Sequence, residues 1–315
     1  MAVYAFVFPG QGSQSVGMGR DLAASFSAAR EVFQEVDDTL DQKLSQLMFE
    51  GPAEDLTRTE NTQPALMAHS LAVLRVLERE GGVTLADKAT LVAGHSLGEY
   101  SALAAAGSFS VGGAAKLLRL RGQSMQKAVA PGVGAMAALL GAEMELALEI
   151  CAEASQPGSI VEPANDNGGG QVVISGHKEA VERAIEVAKT RGVKRAMLLP
   201  VSAPFHCALM APAADAMAEA LGLNPPAPPA VPLVANVTAA KVTDPADIAD
   251  LLVKQVTATV RWRESVQAMV AMGVDTFVEI GAGKVLSGLL RRIAPEAAAI
   301  SVGAPADIEA LLKTL

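Results

Sequence analysis

Aromatic side chains are scarce in this chain, 3% of 315 residues, and it holds only two cysteines and four histidines. With a formal net charge of −9 it lacks both the basic field and the stacking faces that a nucleic-acid binder needs. Cys151 and Cys207 form no CxxC or Cys/His ligand spacing, which argues against a disulfide framework and a zinc site and makes a reducing cytoplasm the expected setting. No metal or redox cofactor is expected. No apolar run reaches the ~20 residues of a membrane span. Met1 to Phe8 is apolar but has no basic n-region and runs at once into Pro9-Gly10, so it reads as a first buried strand and not as a signal peptide. The basic residues fall in two clusters, Lys116, Arg119, Arg121 and Lys127, and Lys189, Arg191, Lys194 and Arg195. Each is open to two readings, a solvated helix face or a docking patch for an acidic partner.

What the chain has in quantity is apolar residues, 50%, and 28 glycines. Its length suits two domain-sized units, or one large α/β domain with an insertion. Val3 to Phe8 reads as a strand, Gly17 to Gln34 and Pro64 to Glu80 as helices, Ala89 to Ala93 as a strand and Glu99 to Ala106 as a helix, followed by a helix from Ala114 to Ala128. Such alternation predicts a parallel sheet covered on both faces. Near Pro131 the texture changes to strand (Ala135 to Leu140), helix (Glu143 to Ser155), strand (Ile160 to Ala164), strand (Gln171 to Ser175), helix (Lys178 to Arg191) and strand (Ala196 to Pro200). A βαββαβ order is the ferredoxin-like signature. Residues 130–199 therefore read as an inserted subdomain, with 1–129 and 200–315 forming the core. The proline-rich segment Asn224 to Pro232 reads as an extended surface connection.

Gly94-His95-Ser96-Leu97-Gly98 lies between the strand ending at Ala93 and the helix that follows. A Gly-x-Ser-x-Gly turn in that setting is a nucleophile elbow, whose glycines permit a tight bend that lifts the serine hydroxyl to the top of a sheet. Serine then needs a base, and histidine is the usual one. His95 adjoins Ser96 and reads as a buttress of the turn. His69 lies in a predicted helix beside Met67 and Leu71 and reads as a satisfied, partly buried side chain. His177 falls in a turn of the insertion, at the surface. His206 remains, in a loop between a strand end and a helix starting near Cys207, where a cleft residue belongs. The chain has no HGGG-type loop, and neither Asp166 nor Asp215 matches a hydrolase acid. Without a carboxylate, a backbone carbonyl or an amide must orient His206, which suits a thioester better than an amide.

Phe8-Pro9-Gly10-Gln11-Gly12-Ser13-Gln14, Thr62-Gln63-Pro64-Ala65, Gly94-His95-Ser96-Leu97-Gly98-Glu99-Tyr100, Arg119-Leu120-Arg121-Gly122, Pro204-Phe205-His206 and Gly281-Ala282-Gly283-Lys284-Val285-Leu286 stand in one order. Together they closely resemble the malonyl-CoA:acyl carrier protein transacylases of bacterial fatty acid synthesis, relatives of the acyltransferase domains of polyketide synthases. The resemblance runs essentially end to end. It implies an α/β-hydrolase-like core with a ferredoxin-like insertion, a monomer, and malonyl-CoA and acyl carrier protein as partners, with no nucleic acid or membrane.

Carried over residue by residue, the resemblance makes Ser96 the nucleophile and His206 its base, oriented by a main-chain carbonyl near Gln255. The backbone N–H groups of Leu97 and Gln11 would hold the oxyanion. Arg121, a surface arginine on composition alone, would grip the malonyl carboxylate through two parallel hydrogen bonds. Gln63 and Met125 would line the same pocket, Phe205 would leave little room for an α-methyl group, and Asn165 would face the cleft, although the triglycine loop Gly168 to Gly170 departs from the family spelling. The glycine-rich loop after the first strand is neither GxGxxG nor GxxxxGK[ST], so phosphate cradling is unsupported. Two rivals follow from the same residues: a serine hydrolase or thioesterase, and a non-catalytic carrier-protein binding module, against which intact Ser96 and His206 speak.

Overall fold

The computed structural model describes residues 2–315; Met1, the first residue of the expected opening strand, lies outside the described residues. The strands are β1 (Tyr4–Phe8), β2 (Ala89–Gly94), β3 (Gly134–Leu140), β4 (Val161–Asp166), β5 (Gln171–His177), β6 (Arg195–Leu198), β7 (Leu233–Val234), β8 (Lys241–Val242), β9 (Thr276–Ile280) and β10 (Ala298–Val302). They form a six-stranded sheet in the order β10-β9-β1-β2-β7-β8 and a four-stranded sheet in the order β4-β5-β3-β6. The large sheet is parallel except for β8. In the small sheet every pairing is antiparallel, and the order is that of a ferredoxin-like βαββαβ unit.

Successive strand residues point to opposite faces, and β1 shows why both faces are covered. Ala5 and Val7 pack on one side with Leu91, Trp262 and Phe277, while Phe6 and Phe8 pack on the other with Leu66, Val92 and Ile280. A strand buried on both sides reads as an unbroken apolar run, which is what Tyr4–Phe8 is. The small sheet divides its faces differently. Ala137, Leu139, Val172 and Ile174 pack against the helices Met144–Ala154 and Lys178–Thr190, whereas Met136 and Val173 turn toward the large domain.

The two sheets are stitched together along β4. Val260 N–H donates to the Ala164 carbonyl and Asp166 N–H to the Val260 carbonyl, both at 2.9 Å. Thr259 Oγ1–H adds a bond to the Pro163 carbonyl at 2.7 Å. Asp166, almost fully buried, takes both Arg263 Nε (2.9 Å) and Nη2 (2.8 Å) on Oδ2. It is therefore a structural ion pair and not a catalytic acid, and Asp215 is exposed on the helix Ala211–Leu223.

Three local expectations need correction. The segment expected as one helix from Gly17 to Gln34 is two, Arg20–Ser25 and Ser27–Leu40, because Phe26 adopts an extended conformation between them. Gly17 and Gly19, both at positive φ, delay the first start. The helix expected from Pro64 begins at Thr59, with Pro64 inside it. Arg121 does not belong to a solvated basic face: on the helix Val111–Lys127 it points inward and is 1% exposed, whereas Lys116 and Lys127 are exposed. No helix of the described residues is long and apolar enough to cross a membrane.

Candidate active site

The elbow follows β2 at the carboxyl ends of the parallel strands, the usual place for ligands in such sheets. Its positive φ falls on Ser96 itself, at 55°, and not on the flanking glycines. The glycines are needed for close approach. A Cβ on Gly94 would lie 1.9 Å from the Gly98 carbonyl carbon, and one on Gly98 would lie 2.2 Å from the Phe8 carbonyl oxygen. Gly10 plays the same part in the loop after β1, where a Cβ would meet the His95 carbonyl oxygen at 2.6 Å.

A turn this sharp strands backbone polar groups, which must find partners. His95 N–H donates to the Phe8 carbonyl and Gly98 N–H to the His95 carbonyl. Asn236, in the loop after β7, accepts from Ser96 N–H at 2.8 Å and donates Nδ2–H to the Gly94 carbonyl at 2.7 Å. Gln255 Nε2–H donates to the Ser96 carbonyl at 3.0 Å. Among residues 95–98 only the Leu97 N–H has no acceptor among the described residues, and the Gln11 N–H has none either. Both residues line the same cavity.

Ser96 Oγ lies 2.7 Å from His206 Nε2. His206, also at positive φ (59°), is buried, and its Nδ1–H donates to the Gln255 main-chain carbonyl at 2.8 Å. That bond fixes the tautomer and leaves the Nε2 lone pair facing the serine hydroxyl. Desolvation first, then the Arg121 charge, pushes the imidazole pKa down to about 3, so the ring rests neutral.

Arg121 Nη2 donates to Gln255 Oε1 at 2.8 Å and lies 3.3 Å from Ser96 Oγ, while Nη1 donates to Gln63 Oε1 at 2.8 Å. Its guanidinium carbon sits 5.7 Å from the centre of the Tyr100 ring, a cation–π distance. Gly122 makes this placement possible. A Cβ there would lie 2.6 Å from Glu60 Cα, so the two long helices touch backbone to backbone where Arg121 and Gln63 meet. Gln63 Nε2 reaches Thr59 Oγ1 at 3.0 Å, and Thr59 Oγ1–H donates to Gln11 Oε1 at 2.8 Å, which ties the guanidinium to the loop carrying the Gln11 N–H.

A cavity of about 250 Å³ opens over Ser96, with Arg121, Gln63 and Met125 on one side and Phe205 beside the base. Met136 and Val173 of the small sheet roof it, and Asn165 and Asn167 line it from β4 and the loop that follows. Gln255 serves it from outside the lining, through its backbone and side chain. His95 does not face Ser96: its Nε2–H donates to Asn167 Oδ1 at 2.9 Å and aims that amide at the cavity. His69 is buried more completely than expected, on the Gly303 carbonyl at 2.9 Å. His177 lies in the small sheet, its Nδ1 3.1 Å from the Ile160 N–H.

Two residues without an expected role stand at the centre of the arrangement. Asn236 sits in Val234-Ala235-Asn236-Val237, which carries no motif. Glu99 follows the elbow and is 1% exposed, its Oε2 accepting from Gln255 Nε2–H at 2.7 Å and Asn236 N–H at 3.2 Å. Among the described residues no cluster of His, Cys, Asp and Glu has the arrangement of a metal site.

The solved acyl-carrier-protein-S-malonyltransferase of Bartonella henselae superposes with a TM-score of 0.97 at 56% identity, covering 99% of each chain. A malonyl-transacylase solved in complex with a type II PKS acyl-carrier protein matches with a TM-score of 0.95 at 44% identity, covering 100% of each chain. The malonyl CoA-acyl carrier protein transacylase of Bacillus subtilis is 47% identical over 315 residues, 100% of this chain and 98% of the relative. Residues 5–305 match the model of the acyl transferase domain, and the chain belongs to that family.

Proposed function

We propose that this protein moves a malonyl group from malonyl-CoA to the phosphopantetheine thiol of acyl carrier protein through a malonyl ester on Ser96. The observation that carries the reading is a buried guanidinium 3.3 Å from the nucleophile's oxygen. A cation there selects an acyl group that ends in a carboxylate.

In the first half-reaction Ser96 Oγ attacks the thioester carbonyl as its proton passes to His206 Nε2. The resulting oxyanion is received by the N–H groups of Leu97 and Gln11, donors of a kind worth roughly 3 kcal/mol each in comparable enzymes. The intermediate collapses with loss of the coenzyme A thiolate, which takes the proton from His206. In the second half the carrier protein's thiol gives its proton to His206 and attacks the ester, and Ser96 leaves with that proton restored. Both steps are redox-neutral, and the reading includes no metal or redox cofactor. The Gln255 carbonyl steadies the imidazolium formed in passing. A neutral carbonyl does this less well than a carboxylate, but a thiolate leaves readily.

Gln63 and Gln255 hold the guanidinium in place. Met125, Phe205 and Asn165 shape the space around the acyl group, with the Phe205 ring beside the base opposing an α-branch. One chain supplies every group in the scheme, in keeping with a monomer as the working unit, and the reading places it in the cytoplasm.

Incubation with malonyl-CoA should add one malonyl group to the intact protein, removable by carrier protein and absent from Ser96→Ala. An adduct that persists in Ser96→Ala rules out the nucleophile, and loss of malonyl to water as fast as to carrier protein makes the enzyme a thioesterase.

A further inference from the structure

We propose that Glu99 is the resident counter-charge of Arg121 and gives up that charge, by taking a proton from solvent, when an acyl carboxylate enters the site. The inference rests on Arg121 being the partner of that carboxylate. Glu99 and Arg121 are each 1% exposed, yet among the described residues no carboxylate oxygen comes within ion-pair distance of the guanidinium. The two are joined through one carboxamide, Gln255, which donates Nε2–H to Glu99 at 2.7 Å and accepts from Arg121 on Oε1 at 2.8 Å. With Glu99 ionised this buried group is neutral overall.

A malonyl carboxylate bound to Arg121 would leave two anions and one cation in a site largely closed to water. Uncompensated buried charge is costly, and a titratable member of such a group neutralises instead. Glu99 is built to do so. Both hydrogen bonds that it accepts end on Oε2, so a proton on Oε1 breaks neither. The groups facing it are Arg121 from the helix Val111–Lys127, Tyr100 on its own helix, Gln255 from the helix Pro245–Gln255 and Asn236 from the loop after β7. Of these only Arg121 is charged, since burial pushes the Tyr100 phenol up. His95 and His206 are both held toward the neutral form by burial. Burial raises the Glu99 carboxyl to about 7 before any ligand arrives, and a second carboxylate displaces it further in the same direction.

The test is the ratio of second-order rate constants for acylation of Ser96 by malonyl-CoA and by acetyl-CoA, read from coenzyme A release between pH 6 and 9. The thioester and the base are common to both substrates and cancel. The ratio should be flat below pH 7 and fall toward about tenfold per pH unit above it, and in Glu99→Gln it should be flat throughout. A flat ratio in the unmodified enzyme overturns the inference, as does a slope that survives in Glu99→Gln. Should that variant fail to fold, calorimetry at pH 8 in buffers of different ionisation heat decides, with Ser96→Ala binding each substrate unreacted. Proton uptake approaching one per malonyl-CoA and none per acetyl-CoA supports the exchange; equal uptake overturns it. Acylation by neither substrate overturns the transferase reading and this inference together, whereas acylation with a flat ratio overturns this inference alone.

Discussion

Arg121 shows how much a single buried side chain decides. Its charge is met by two amide oxygens and a hydroxyl, so a carboxylate bound there gains charge-assisted hydrogen bonds from a cation already stripped of water. Arg121→Ala should lower malonyl acylation by roughly 150- to 5,000-fold, on the scale of 3–5 kcal/mol for breaking a buried pair. Acetyl acylation should fall far less; competition between the two thioesters, read by intact mass, checks this. His206 gives a pH signature. Because its pKa is lowered to about 3, the neutral base persists well below the usual histidine range. Pre-steady-state acylation by acetyl-CoA should therefore hold from pH 8 to about 5, where a solvated histidine would already have lost most of it. At this scale the sequence was legible where residues form motifs: Ser96 in its elbow, His206 by elimination among four histidines, Arg121 by resemblance. Glu99 stands within the elbow motif yet carries no legible role, because burial of a carboxylate leaves no mark in composition. Asn236 had no signal at all, since its work is to satisfy backbone groups stranded by a turn far away in the chain.

Elements were legible where one period ran uninterrupted. The apolar strand Tyr4–Phe8, the elbow and the βαββαβ order of the small sheet all follow from pattern. The split at Phe26 does not, because one extended residue breaks a helix without Gly or Pro to announce it. Nor does the true function of the elbow glycines, which is clearance between β2, β1 and the helix Gly98–Ala105. Gly94→Ala should cost at least about 3 kcal/mol or prevent folding, since backbone atoms and not flexible side chains occupy the space of its Cβ. Gly288, exposed within the helix Val285–Ile293, is the contrast, for a Cβ there would meet no atom within 4 Å. Gly288→Ala should gain about 0.5–1 kcal/mol. Thermal denaturation of the two variants against the unmodified chain separates steric from conformational glycine.

For the whole molecule, buried titratable groups set the response to acid. His69, held on one carbonyl, has its pKa lowered to about 4 by desolvation, and His95 and His206 are lowered as well. Unfolded, each would bind a proton near pH 6.5, so their stabilisation is full above that value and is lost as pH falls toward about 4. Glu99 acts oppositely, because its raised pKa favours the folded state in acid and withdraws that support as pH climbs through 7. Glu279, whose carboxyl burial also pushes up, acts in the same direction as Glu99, and three histidines outweigh two glutamates. The unfolding temperature should rise between pH 4 and 6.5, and more steeply in Glu99→Gln. The seam along β4 bears on a different property. Val260 pairs with β4 a few residues after Gln255 has oriented the base, and Asp166 anchors the same edge to Arg263. The roof over the cavity is thus tied by hydrogen bonds and an ion pair to the same stretch of chain that holds His206. On the proposed reading, coenzyme A and the carrier's thiol arm would each have to reach Ser96 past this tied edge, so the length of the arm becomes part of what the site can accept.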